Sequence, residues 1–321
     1  MAHPDKKESI EGSETASNKV ARGCVDGVTA TFLLEIGTEE LPADFASQAL
    51  EQLKNVVARD LKEQRLNHGE VQIMGTPRRL VVSVDALEDR QPDLTEERKG
   101  PPASQAFKEG VPTPAATGFA KRCGVPPESL EVRDTPKGPC VFATVHTPGQ
   151  PSTELLQTMI PAWINSLQGR RFMRWGCGTQ RFSRPIRWLV ALLGNSLIPV
   201  ELNDADPPLR SGRISRGHRL RSDTPLEISG ADQYLPTLEA AGVIVDRQRR
   251  STVIREAIDA ASERLEARPD CPPKLFEELV DLVESPIVLQ GRIADRYLGL
   301  PPEVISTVMQ AHQRYVPLKL A

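Results

Sequence analysis

Two groups of residues in this 321-residue chain could do chemistry. The first is acidic. Glu35, Glu39, Glu40 and Asp44 fall within the stretch LEIGTEELPAD, residues 34–44. Carboxylates at that density could hold Mg²⁺, but such a site normally also holds substrate phosphates, and no G-x-x-x-x-G-K-[ST] loop is present. A strand-to-helix turn accounts for the same residues. Glu39 and Glu40 would then sit beside a helix N-terminus, whose partial positive charge favours carboxylates by ~0.3–1 kcal/mol. The expectation is that these acids mark a turn.

The second group is basic. Eleven arginines and no lysine lie between Arg170 and Arg221, against three acids, Glu201, Asp204 and Asp206. Phe172, Trp175, Phe182 and Trp188 are interleaved with the first six. The planar guanidinium fork grips phosphate bidentately and stacks on rings, which suits RNA. Arginines paired with acids of a neighbouring domain or subunit would look the same, so both uses stay open. The candidates for RNA or subunit contact are Arg174, Arg181, Arg184, Arg187, Arg216 and Arg219. Arg174 and Arg181 flank Gly176-Cys177-Gly178 and favour RNA, whereas Arg187, beside Trp188 at a strand start, favours bracing the sheet.

His218 invites a catalytic role, with Ser183 and Ser215 as nucleophiles by chain proximity alone. Catalysis needs an orienting partner and a substrate within reach, and the sequence supplies neither. A turn histidine is expected. The sequence contains no G-x-G-x-x-G, H-E-x-x-H or G-x-S-x-G. No catalytic, cofactor-binding or metal-binding residue is assigned.

The elements that must position these groups follow from the whole chain. Its length exceeds what one core usually serves, so two or three units are expected. A formal charge of −3 gives no global drive toward nucleic acid or membrane. Cys24, Cys123, Cys140, Cys177 and Cys271 form no C-x-x-C, and a reducing cytoplasm fits. Residues 1–30 are polar and read as a disordered extension.

Alternation of Phe32, Leu34 and Ile36 with Leu33, Glu35 and Gly37 predicts a half-buried strand. A helix follows Pro42, carrying Phe45, Ala49, Leu53, Val57 and Leu61 and stopping near Asn67-His68-Gly69. Strands at 71–84 complete a β-α-β unit. Residues 91–168 form an inserted proline-rich lobe with a hairpin turn at 134–138, followed by a connecting helix from 152. Strands at 186–193 and 197–202 are separated by Gly194-Asn195. Helices are expected at 231–241, 246–267 and 275–283. The fold class is α+β and multidomain. A mixed or antiparallel sheet domain (31–90 and 169–229) carries the inserted lobe, and a mainly helical part (230–321) follows.

Several ordered stretches resemble one family. They are Leu33–Pro42, Gly75-Thr76-Pro77-Arg78-Arg79-Leu80, Lys99-Gly100-Pro101, Phe172–Trp175, Arg181–Trp188, Gly217-His218-Arg219 and His312-Gln313-Arg314-Tyr315. They resemble, in order, the N-terminal half of the β subunit of bacterial heterotetrameric (α2β2) glycyl-tRNA synthetase. The resemblance implies a cytoplasmic, tRNA-recognising, non-catalytic subunit of a glycine–tRNA ligase. In that family the α subunit binds glycine, ATP and Mg²⁺ and attaches glycine to tRNA(Gly). This chain would bind no cofactor and would be inactive alone. Its partners would be the α subunit and tRNA(Gly), with no DNA and no membrane. A self-sufficient RNA-binding module and an editing-like hydrolase centred on His218 are the alternatives.

Overall fold

A computed structural model describes residues 28–222 and 224–320. Within them strands and helices alternate irregularly around a seven-stranded sheet, an α+β architecture. The expected disorder of residues 1–30 falls largely outside the described residues, and the first strand begins at Thr29.

Strand β1 (Thr29–Thr38) runs through the middle of the sheet. It pairs antiparallel with β3 (Arg79–Glu88) on one side and with Ile186–Leu193 on the other. Strand β2 (Val71–Thr76) closes the edge beyond β3. On the far side Leu209–Gly212 lies parallel to Ile186–Leu193, and Glu201–Leu202 pairs with it in turn.

The alternation in β1 predicts one wet face, and the structure corrects this: residues 32–38 are all buried. Phe32, Leu34 and Ile36 face a core under helix α1 (Ala43–Glu63) and the helix Ser152–Ser166. Leu33 faces a second core built by Trp188, Ile228, Tyr234 and Leu238. A strand covered on both faces should read as continuously apolar. Glu35 broke that pattern because its charge is answered inside the protein. Helix α1 also ends earlier than expected, at Glu63, where Arg65 turns the chain with φ 54°. The segment 197–202 is not one strand: Ser196–Leu197 folds back on Leu193 and Leu192, and Glu201–Leu202 pairs elsewhere.

Residues 91–150 leave and re-enter the sheet domain through a neck in which the Gln91 amide donates to the Gln150 carbonyl at 2.9 Å. Their core of Ala106, Ala116, Phe119, Leu130 and Val141 is separate from the sheet cores. A three-stranded sheet (Leu94–Pro102, Cys140–Thr147, Glu131–Arg133) packs on the helix Pro114–Cys123. The strand Leu94–Pro102 lies in the proline-rich stretch, and sequence reasoning missed it. The helix Ser152–Ser166, grouped with the lobe on sequence, instead buries Leu156, Ile160 and Trp163 in the main core.

Beyond residue 230 the helices are Tyr234–Ala240, Arg247–Arg264, Pro273–Leu282 and Pro302–Ala311. Asp246 caps the second, its carboxylate accepting from the amides of Gln248 and Arg249. Arg250, fully buried, fastens this part to the sheet. Its guanidinium donates to the carbonyls of Ile244, Val245 and Val280 and, across the interface, to that of Gly75 in β2 at 2.7 Å. Burial lowers its pKa to about 10, which leaves it charged at neutral pH.

Candidate nucleic-acid interface

The acidic stretch and the arginines meet at the end of β1. Glu35 and Arg79, cross-strand neighbours on β1 and β3 but two positions out of register, are both fully buried and bonded at 2.9 Å. Arg79 Nε donates to Glu284 at 3.1 Å, which brings in the segment after the helix Pro273–Leu282. Ser215 donates to Glu35 at 2.9 Å and Thr76 to Glu284 at 2.6 Å. Burial disfavours the charged form of Arg79, but Glu35 and Glu284 outweigh it and raise its pKa. Burial and the Glu35 carboxylate also raise Tyr234, in the same pocket, well above the usual phenol range.

Two residues further along β1, Gly37 pairs with Trp188. A Cβ on Gly37 would lie 1.8 Å from the indole, so the glycine is there to let the ring lie flat on the strand. The guanidinium carbons of Arg78, Arg79 and Arg216 stand 5.8, 5.6 and 5.1 Å from the ring centre, within cation–π range.

Glu39 and Glu40 are not helix-terminus carboxylates. Arg187 Nε donates to Glu39 at 2.7 Å, and Arg219 donates to Glu40. Only Asp44 lies in the first turn of α1, so the dipole explanation is replaced by ion pairs. Among the described residues no cluster of three or more His, Cys, Asp or Glu could hold a metal ion.

The remaining candidates sort by partner. Arg184 donates to the Ser183 carbonyl at 2.8 Å, and Arg216 stacks on Trp188. Arg174 and Arg181 are exposed, with no carboxylate partner among the described residues. They stand on a loop closed by Met173 and Phe182 and pinned by Phe172 and Phe182 against Phe45. Asp204 and Asp206, which sequence counting sets against the arginines, hold this loop's backbone instead. The Cys177 amide donates to Asp206 at 2.8 Å, the Gln180 amide to the Asp204 carbonyl at 2.8 Å, and Thr179 to the Asp204 carboxylate at 3.1 Å. Glu201 pairs with Arg210.

Among the described residues no dyad is assembled on His218. Ser215 is committed to Glu35, Ser183 is buried, and the His218 Nδ1 accepts only the Leu220 amide at 3.4 Å. Two arginines that matter were seen only as letters of a motif, Arg78 and Arg79. Their signal was position: paired arginines at the tip between two strands, one facing inward and the next outward.

What fold and site define is an α+β body that buries some arginines to fasten its layers and presents others to solvent. The chain belongs to the glycyl-tRNA synthetase beta subunit family, whose model matches residues 32–321. It is 46% identical over 288 residues to the glycine–tRNA ligase beta subunit of Synechocystis sp., covering 90% of this chain and 40% of that protein. The subunits so named from Picosynechococcus sp. (47% over 290 residues; 90% and 41%) and Moorella thermoacetica (42% over 288 residues; 89% and 41%) are similar to the same extent. The chain thus spans about two fifths of the length of these relatives.

Proposed function

We propose that the chain serves within a tRNA-recognising, non-catalytic β subunit of glycine–tRNA ligase. An α subunit in an α2β2 assembly would bind ATP, Mg²⁺ and glycine and attach glycine to tRNA(Gly) in the cytoplasm. The family match across nearly the whole chain carries this reading. Arg174 and Arg181, without a carboxylate partner among the described residues and carried on an anchored loop, support RNA contact there. The ion-paired Arg187, Arg210 and Arg219 have structural partners already. In the same reading the sheet domain, the lobe and the helical part are the units of this region.

The test is co-expression with the α subunit, comparing glycylation and co-purification of this chain with those of a full-length β subunit. Within the full-length complex, Arg174→Ala and Arg181→Ala should each weaken tRNA binding. Each lost phosphate contact should flatten the salt dependence by about 0.7–0.9 units of slope. Unchanged affinity and slope in both would remove these residues from the interface. Tight tRNA binding by this chain without α would favour the self-sufficient module.

A further inference from the structure

Beside the Trp188 platform the surface is concave. A cavity of about 340 Å³ opens between the β2–β3 turn and the hairpin of Ile214–Arg216 with Pro225–Glu227, lined by Arg78, Arg216, Gly217, Arg219 and Ser222. The Ser215 side of that hairpin is tied to Glu35, and the Arg216 side faces the cavity.

We propose that Arg78 and Arg216, with the Glu40-paired Arg219 at the rim, form a pocket for a phosphate group presented by an RNA strand. The proposal rests on the tRNA-binding reading above and adds a site to it.

Three observations carry it. The indole of Trp188 holds the guanidiniums of Arg78 and Arg216 as a preformed pair. Neither has a carboxylate partner among the described residues, whereas the third on the ring, Arg79, is neutralised internally. The Nε of Arg78 is buried with no hydrogen-bond partner there, an unusual state for a strong donor. Finally, among the described residues the nearby acids are engaged: Glu39 with Arg187, Glu40 with Arg219, and Glu284 with Arg79. Burial disfavours the charged form of Arg78; the Glu284 carboxylate offsets part of this, and the charges of Arg79 and Arg219 work against the offset. A further anion would favour the charged form. Each guanidinium offers five N–H donors. Two free forks therefore exceed what a single carboxylate accepts and match the several oxygens of a phosphate. Gly217 keeps the pocket wall thin, since a Cβ there would lie 2.5 Å from Ser222 Cβ.

Two measurements test this. In the first, the chain labelled at arginine is titrated with inorganic phosphate, following the Nε–H signals by NMR with chloride as control. Signals lost in Arg78→Lys and Arg216→Lys should shift saturably. The lysine variants keep charge and remove the fork, and their melting curves show whether the fold is retained. Absence of a shift overturns the pocket whatever tRNA does. In the second, the full-length β subunit bound to α carries each variant, and tRNA binding is followed against salt. Weaker binding with a shallower slope supports RNA as the source. Phosphate shifts with an unaltered tRNA slope overturn the RNA source and leave a free-phosphate site. Loss of α association with an intact tRNA slope also overturns the proposal, because the occupant is then a carboxylate of the protein partner. Failure of the unsubstituted complex to bind tRNA would overturn the underlying reading, and with it RNA as the source.

Discussion

Replacing Arg79 with methionine keeps length and apolar packing while removing the cation bonded to both Glu35 and Glu284. Both carboxylates are almost fully out of water, at 0% and 5% side-chain exposure. Removing one partner of a buried pair costs about 3–5 kcal/mol, because a charge is left without compensation. Ser215 and Thr76 still donate to the stranded carboxylates, so Arg79→Met should lose about that amount and no more. In urea denaturation followed by far-ultraviolet circular dichroism, Glu35→Gln added to Arg79→Met should recover part of the loss. A loss below about 1 kcal/mol, or no recovery on adding Glu35→Gln, would refute the buried-pair argument.

Three shorter predictions follow from the same geometry. Gly37→Ala should destabilise by about 1–3 kcal/mol or more through overpacking against Trp188, and the near-ultraviolet tryptophan signal should change with it. Arg250→Met strands three buried carbonyls and one part-buried one, and should cost at least ~3 kcal/mol. Limited proteolysis should then release residues beyond 230 before the sheet is cut. Glu39→Gln with Glu40→Gln breaks two exposed ion pairs and should cost no more than about 2 kcal/mol, with calorimetry showing no change in Mg²⁺ binding.

The local elements were legible because their periodicities are strong. Phe45, Ala49, Leu53, Val57 and Leu61 mark one stripe of α1, and all are buried. The strand Leu94–Pro102 was not legible because it is an edge strand whose residues all remain at least partly exposed. Its sequence, LTEERKGPP, therefore carries no alternation. The burial of Glu35 was hidden for another reason. Its partners lie 44 and 180 positions along the chain, and Glu284 answers Arg79 from 205 positions away. The arginine count was right, but the partition was not available. Whether an arginine is free depends on acids such as Glu39 and Glu40 arriving from the turn after β1, and on Asp206 being spent on the Cys177 amide and Asp204 on the Thr179 hydroxyl.

The 205-residue separation of Arg79 and Glu284 has a consequence for synthesis. Ribosomes extend chains at about 5–20 residues per second, so Glu284 follows Arg79 by roughly 10–40 s. During that interval the nascent sheet can pair β1 with β3 but has only half of the charge that balances Arg79. The carbonyl of Gly75 likewise waits for Arg250. That face of the sheet thus closes only after residues 250 and 284 have been made. A ribosome stalled before residue 250 would present that face, with its unfilled hydrogen bonds, to chaperones and proteases.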